Sequence, residues 1–138
     1  MELGMVLAEL ARRQGIDVPQ QSDGRYRIGM EGVELLCFES HGKICLLANI
    51  ARSSPSAAGE AESRRLLDKS LAVVREYRAS LTLDEQSGYY QLSQRFAAQG
   101  VTVDSLTTLL QEFGGCCLYY KELFSQNSPP PVRGTVSF

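Results

Sequence analysis

The sequence has no tryptophan, one histidine and four cysteines among 138 residues, and each shortage removes a class of function. His41 precedes Gly42 in a predicted tight turn, where a residue that tolerates positive φ is favoured. It therefore reads as a turn residue and not as half of a Cys–His or Ser–His–Asp arrangement. No phosphate loop or GxGxxG stretch occurs, so neither a nucleotide nor any other cofactor is expected. Cys37 and Cys45 sit in apolar runs, and Cys116 and Cys117 are adjacent. That spacing fits neither a CxxC metal pair nor the framework of a secreted disulfide domain. Reduced, buried thiols in a cytosolic chain are expected, without metal or disulfide.

Charge of one sign is also missing. Lys and Arg total 14 against 16 Asp and Glu, a net charge of −2. Without a basic stripe, nucleic acid and anionic membrane surfaces are poor partners. No run approaches the roughly 18 apolar residues of a membrane span, and the N-terminal MELGMVLAELARRQG places acids among its apolar residues without a cleavage site. A soluble, unexported protein is expected. Asp84-Glu85 on a predicted hairpin tip points apart into solvent, which argues against a catalytic carboxylate pair. Tyr89-Tyr90 and Tyr119-Tyr120 lack the basic neighbours of a base-stacking platform.

What is present is a chain 43% hydrophobic, enough for a single core. One domain over residues 1–126 is expected, followed by a Pro-rich, disordered or extended tail, 127–138. Leu3, Val6, Leu7 and Leu10 recur at helical spacing and predict a first helix over 2–14, closed by Gly15 in the left-handed conformation and by Pro19 beyond. Three strands follow, 26–30, 33–40 and 43–51, with turns at Glu31-Gly32 and His41-Gly42.

A two-residue turn at His41-Gly42 pairs Ser40 with Lys43, Phe38 with Cys45 and Leu36 with Leu47. One face of the hairpin then carries Val33, Leu35, Cys37, Ile44, Leu46, Ala48 and Ile50 and predicts the core. The second face carries an apolar island of Leu36, Phe38, Cys45 and Leu47. Glu34 and Asn49 close it at one end, Ser40 and Lys43 at the other. Such an island must be covered, either by the chain's own first helix through Leu3, Leu7 and Leu10 or by a partner.

After the small, polar stretch 52–63, a second helix is predicted to about Arg78. Its apolar residues Leu66, Leu67, Leu71, Val73, Val74 and Tyr77 span an arc of roughly 160° at 100° per residue, wider than the ~100° stripe of a one-sided helix. This predicts two contact surfaces, the sheet and a second subunit, with Leu67, Leu71, Val74 and Tyr77 at a dimer interface. A second hairpin, 81–83 with 89–96, is expected to place Tyr90, Leu92 and Phe96 on one face. A third helix starts at the N-cap Thr102, with a Val101–Leu106 staple, and carries Leu106, Leu110, Phe113, Cys117, Tyr120 and Phe124 on one stripe. Gly114-Gly115 inside it costs about 1 kcal/mol per glycine against alanine, which either close approach of another backbone or a local kink accounts for.

The expected fold is thus α+β: three helices packing a twisted antiparallel five-stranded sheet in the order α-β-β-β-α-β-β-α. That order resembles the class I type III secretion chaperones, the Tir-chaperone-like family. Leu81 to Phe96, LTLDEQSGYYQLSQRF, is similar to the family's strand, acidic turn and strand before a long C-terminal helix, and ELLCFESHGKICLLANI resembles its second and third strands. The likeness covers about residues 1–126; the Pro-rich tail is not part of it. It implies a bacterial cytoplasmic homodimer without enzymatic activity that binds, without ATP, the extended N-terminal chaperone-binding segment of a secreted effector. The island, with Leu3, Leu7 and Leu10 as neighbours or cover, would be the effector-binding site. Two alternatives stay open: a relative that sequesters a transcriptional regulatory protein, and a small-ligand protein or enzyme using the same surface.

Overall fold

The computed structural model describes residues 2–52, 79–125 and 135–138. Helix α1 (Leu3–Gln14) leads into strands β1 (Tyr26–Met30), β2 (Val33–Ser40) and β3 (Lys43–Arg52). Strands β4 (Ala79–Asp84) and β5 (Tyr89–Ala97) and helix α2 (Val103–Ser125) follow. The predicted second helix, with Leu67, Leu71, Val74 and Tyr77, lies outside the described residues.

Local chemistry fixes the boundaries. Gly15 takes φ 65° and the Ile16 N–H donates to the Ala11 carbonyl at 3.0 Å, the six-to-one bond of a Schellman cap. At the start of α2, the Ser105 N–H donates to Thr102 Oγ1 at 3.1 Å, and the Thr102 N–H donates to Ser105 Oγ at 2.9 Å. This is a capping box with serine in the acidic position. Glu31-Gly32 and His41-Gly42 all have positive φ, the left-handed pair a two-residue hairpin needs.

The five strands form one antiparallel sheet in the order β1-β2-β3-β5-β4. Ser40 pairs with Lys43, Phe38 with Cys45 and Leu36 with Leu47, the register the turn predicts. Strand β5 lies beside β3, pairing Leu46 with Gln94 and Leu47 with Ser93, and the register shifts between Asn49 and Ala51. The bulge falls at Ile50, which is nonetheless buried.

Both helices pack on one face of this sheet. A single buried cluster joins Leu3, Val6, Leu7 and Leu10 of α1 to Ile28, Met30, Leu35, Cys37, Ile44 and Leu46 of the sheet and to Leu106, Leu110, Phe113, Cys117 and Tyr120 of α2. Tyr90 and Leu92 are buried in the same cluster, with Phe96 partly buried against it, and Gln94 is a buried polar residue on the same strand. On the outside, Arg13 bridges from α1 to Asp104 of α2 at 3.2 Å. At that exposure the pair contributes at most about 1 kcal/mol. The last four residues also differ from a free tail, because Val136 is buried in the core cluster and Phe138 is partly buried against it.

Candidate functional site

The second face of the β2–β3 hairpin is built by strand alternation alone. With Cys37 and Leu46 turned into the core, Leu36, Phe38 and Leu47 point the other way and are half-buried, while the smaller Cys45 is buried. None of the four belongs to the core cluster. Their neighbours across the sheet are polar. Leu47 pairs with Ser93 and Cys45 with Arg95 on β5, and Leu36 pairs with Arg27 on β1. The island is therefore closed laterally as well as at its ends.

The rim is held by defined contacts. Arg27 Nε lies 2.7 Å from Glu34 Oε1, and Gln91 Nε2 donates to Asn49 Oδ1 at 3.0 Å. The Arg25 guanidinium sits 4.5 Å from the Phe38 ring centroid, a cation–π contact of about 0.5–1 kcal/mol at an exposed site. A groove of 520 Å³ runs beside the island, lined among others by Arg25, Arg27, Glu34, Leu36, Leu47 and Lys121. Its leucines offer apolar contact and its cations offer donors to main-chain carbonyls or carboxylates.

Leu3, Leu7 and Leu10 are not beside this island. At 6%, 1% and 0% exposure they enter the core cluster on the opposite face. The sequence left both faces apolar, and α1 takes the larger one, where α2 shares the burial. Of the alternatives the sequence left open, α1 therefore neither covers the island nor flanks it, and Leu36, Phe38 and Leu47 stay half-buried around the buried Cys45.

Among the described residues no group of three or more His, Cys, Asp and Glu could hold a metal ion, and no helix is long and apolar enough to cross a membrane. His41 occupies an exposed hairpin turn. The shifted titrations lie elsewhere. On the surface of α1, hydrogen bonds from Arg12 and then Arg13 hold Glu9 down to about 2. In the core, burial, and secondarily Cys45, pushes the Cys37 thiol up to about 12, while burial also raises Cys117.

The buried thiols predict an alkaline limit. A thiol whose folded pKa exceeds its unfolded value keeps its full contribution below the unfolded pKa. That contribution is lost as pH rises toward the folded pKa. For Cys37 the window runs from 9.0 to about 12, a span of roughly 4 kcal/mol at 1.36 kcal/mol per unit. Urea midpoints should hold to pH 9 and then fall, and Cys37→Ala should flatten the decline. A wild-type midpoint unchanged from pH 8 to 11 would contradict this.

The model of the Tir chaperone protein (CesT) family matches residues 5–114. No curated protein matches the chain. Among solved structures, the ExsC–ExsE complex contains a chain with TM-score 0.69 and 17% identity, covering 88% of this chain and 95% of that one. The HopA1–SchA chaperone–effector complex gives TM-score 0.64 at 15% identity, over 86% and 92%. YbjN of E. coli, whose assignment as a transcription regulator is provisional, gives 0.64 at 14%, over 91% and 93%. At these identities the likeness is one of fold, and the fold is that of a single α+β domain.

Proposed function

The chain belongs to the Tir chaperone protein (CesT) family, and on that premise we propose that it is a cytoplasmic type III secretion chaperone acting by binding and not by catalysis. It takes up the N-terminal chaperone-binding segment of a secreted effector in extended form, without ATP, and keeps it soluble and ready for export. The single observation that carries this reading is the island of half-buried Leu36, Phe38 and Leu47 around the buried Cys45, which stands outside the core cluster that both described helices join. The chaperone–effector complex that shares the fold supports it.

The mechanism is physical. A segment that cannot fold alone loses conformational entropy on binding, so it must gain main-chain pairing and pockets for alternate side chains. Strand β1 is an edge of the sheet and carries Arg27 beside Leu36, so an extended segment near that edge can reach the island with its side chains. The open groove suits such a segment better than a small ligand, which needs an enclosed pocket with converging polar groups.

We place the homodimer interface at Leu67, Leu71, Val74 and Tyr77, on the breadth of their apolar arc. A stable interface of at least about 1,200 Å² is expected. Sedimentation at micromolar concentration should give twice the 15.2 kDa chain mass, and Leu71→Asp should give monomer or aggregate. A wild-type monomer would sink the dimer.

The function itself is tested by affinity capture from the native cytosol with mass spectrometry, followed by protease mapping of the bound partner. A secreted protein protected over an N-terminal segment is the expected result; capture of none would count against the reading. A second reading, sequestration of a regulatory protein, draws on the shared fold with YbjN. It predicts a non-secreted regulator in the same experiment.

A further inference from the structure

The C-terminal segment Thr135–Phe138 lies outside the part of the chain matched by the family, which ends at residue 114. Val136 is 4% exposed and Phe138 half-buried, whereas Thr135 and Ser137 are exposed. This is the in-and-out alternation of an extended peptide laid on a surface. Its backbone is held at Val136, whose N–H donates to the Gln111 carbonyl of α2 at 3.2 Å.

The receiving surface is built around Gly114. A Cβ placed there would collide with Cγ2 of Val136 and lie 3.6 Å from Sδ of Met30. Glycine is among the poorest helix formers, so its position in the middle of α2 needs a compensation, and the seated valine supplies one. Met30 belongs to the edge strand β1. The notch therefore lies beside β1, whose outer edge is met at Arg25 and Arg27 by hydrogen bonds with Gln21 and Pro19.

We propose that Thr135–Phe138 is a detachable strap, seated in cis in a peptide notch that Gly114 keeps open between α2 and Met30. The segment belongs to no helix or strand, and its anchorage is one buried and one half-buried side chain with a backbone bond. Such a segment opens locally, without the rest of the fold. Only 9 residues separate α2 from Thr135, and so short a tether gives the strap an effective concentration in the millimolar range. It excludes competing peptides until it is displaced. Lifting it uncovers an apolar seat beside β1. The inference stands apart from the function proposed above, because the occupant is this chain's own segment.

The test uses full-length chains and a labelled synthetic peptide of residues 131–138. Val136→Asp should unseat the strap, and this variant should bind the peptide saturably, at least about tenfold tighter than the wild-type chain does. Adding Gly114→Ala should abolish that binding by filling the notch. Equal binding by wild type and Val136→Asp, or none by either, would overturn the proposal. So would failure of Val136→Asp to fold, since the segment would then be core and not a strap. Hydrogen exchange on the wild type gives an independent reading. The Val136 amide should be protected relative to a free chain, yet exchange about 100-fold faster than the amides of Leu110 and Phe113, by local opening. Exchange at the core rate, or at the rate of a free chain, would overturn it equally.

Discussion

Phe38→Glu and Leu47→Glu should each leave the protein folded and remove its partner. Both side chains are half-buried and outside the core cluster. A carboxylate at either position reaches water, and at position 38 it also faces Arg25, whose guanidinium lies 4.5 Å from the present ring centroid. The cost of burying an unpaired charge, several kcal/mol, is thereby avoided. For a bound segment the same change is severe. It places a charge where the partner buries an apolar side chain, and loss of such an anchor weakens binding by at least about 2 kcal/mol, or roughly thirtyfold. Thermal melts followed by circular dichroism, together with isothermal titration using the captured partner's segment, separate the two effects. Leu46→Glu is the control, because Leu46 has no exposure and should unfold the protein. If Phe38→Glu melts like Leu46→Glu, the island is core; if it binds like wild type, the partner sits elsewhere.

The parts of this fold that local chemistry dictates were legible in the sequence. His41-Gly42 specifies a two-residue turn, the turn specifies the register, and the register assigns every side chain of β2 and β3 to a face. The same holds for Gly15 at the end of α1 and Thr102 at the start of α2. Nonlocal choices were not legible. Nothing in β3 announces that β5 lies beside it, or that the ladder shifts at Ile50, since strand pairing across a long connection leaves no mark on either strand. Gln94 sits buried on a strand whose apolar residues alone defined the predicted core face. Gly114 had two readings, close approach of another backbone or a kink, and neither named what meets it: the side chain of Val136, 22 residues further on, in a tail whose prolines argued for disorder. Which face α1 would cover was open for a related reason: Leu3, Val6, Leu7 and Leu10 define an apolar stripe, but an apolar stripe fits either face.

The second large effect is expected in α1, where Leu10→Ala should cost about 2–5 kcal/mol, the range for a buried leucine that leaves a cavity. Leu10 is 0% exposed in the cluster that joins α1, the sheet and α2, so its truncation leaves a buried cavity. Set against a total of ~5–15 kcal/mol, the substitution consumes a large share of stability, and Leu10→Asp should abolish folding. Met5 lies on the same helix at 62% exposure, and Met5→Asp should change stability by no more than about 0.5 kcal/mol. Urea titration of the three variants decides the matter, and partner binding by Leu10→Ala adds a second answer. Measured under conditions where that variant is folded, its affinity should match wild type, because the leucine touches the core and not the island. A variant that stayed fully stable yet lost its partner would move α1 from the core into the binding surface, and would return Leu3, Leu7 and Leu10 to the site from which their burial removes them.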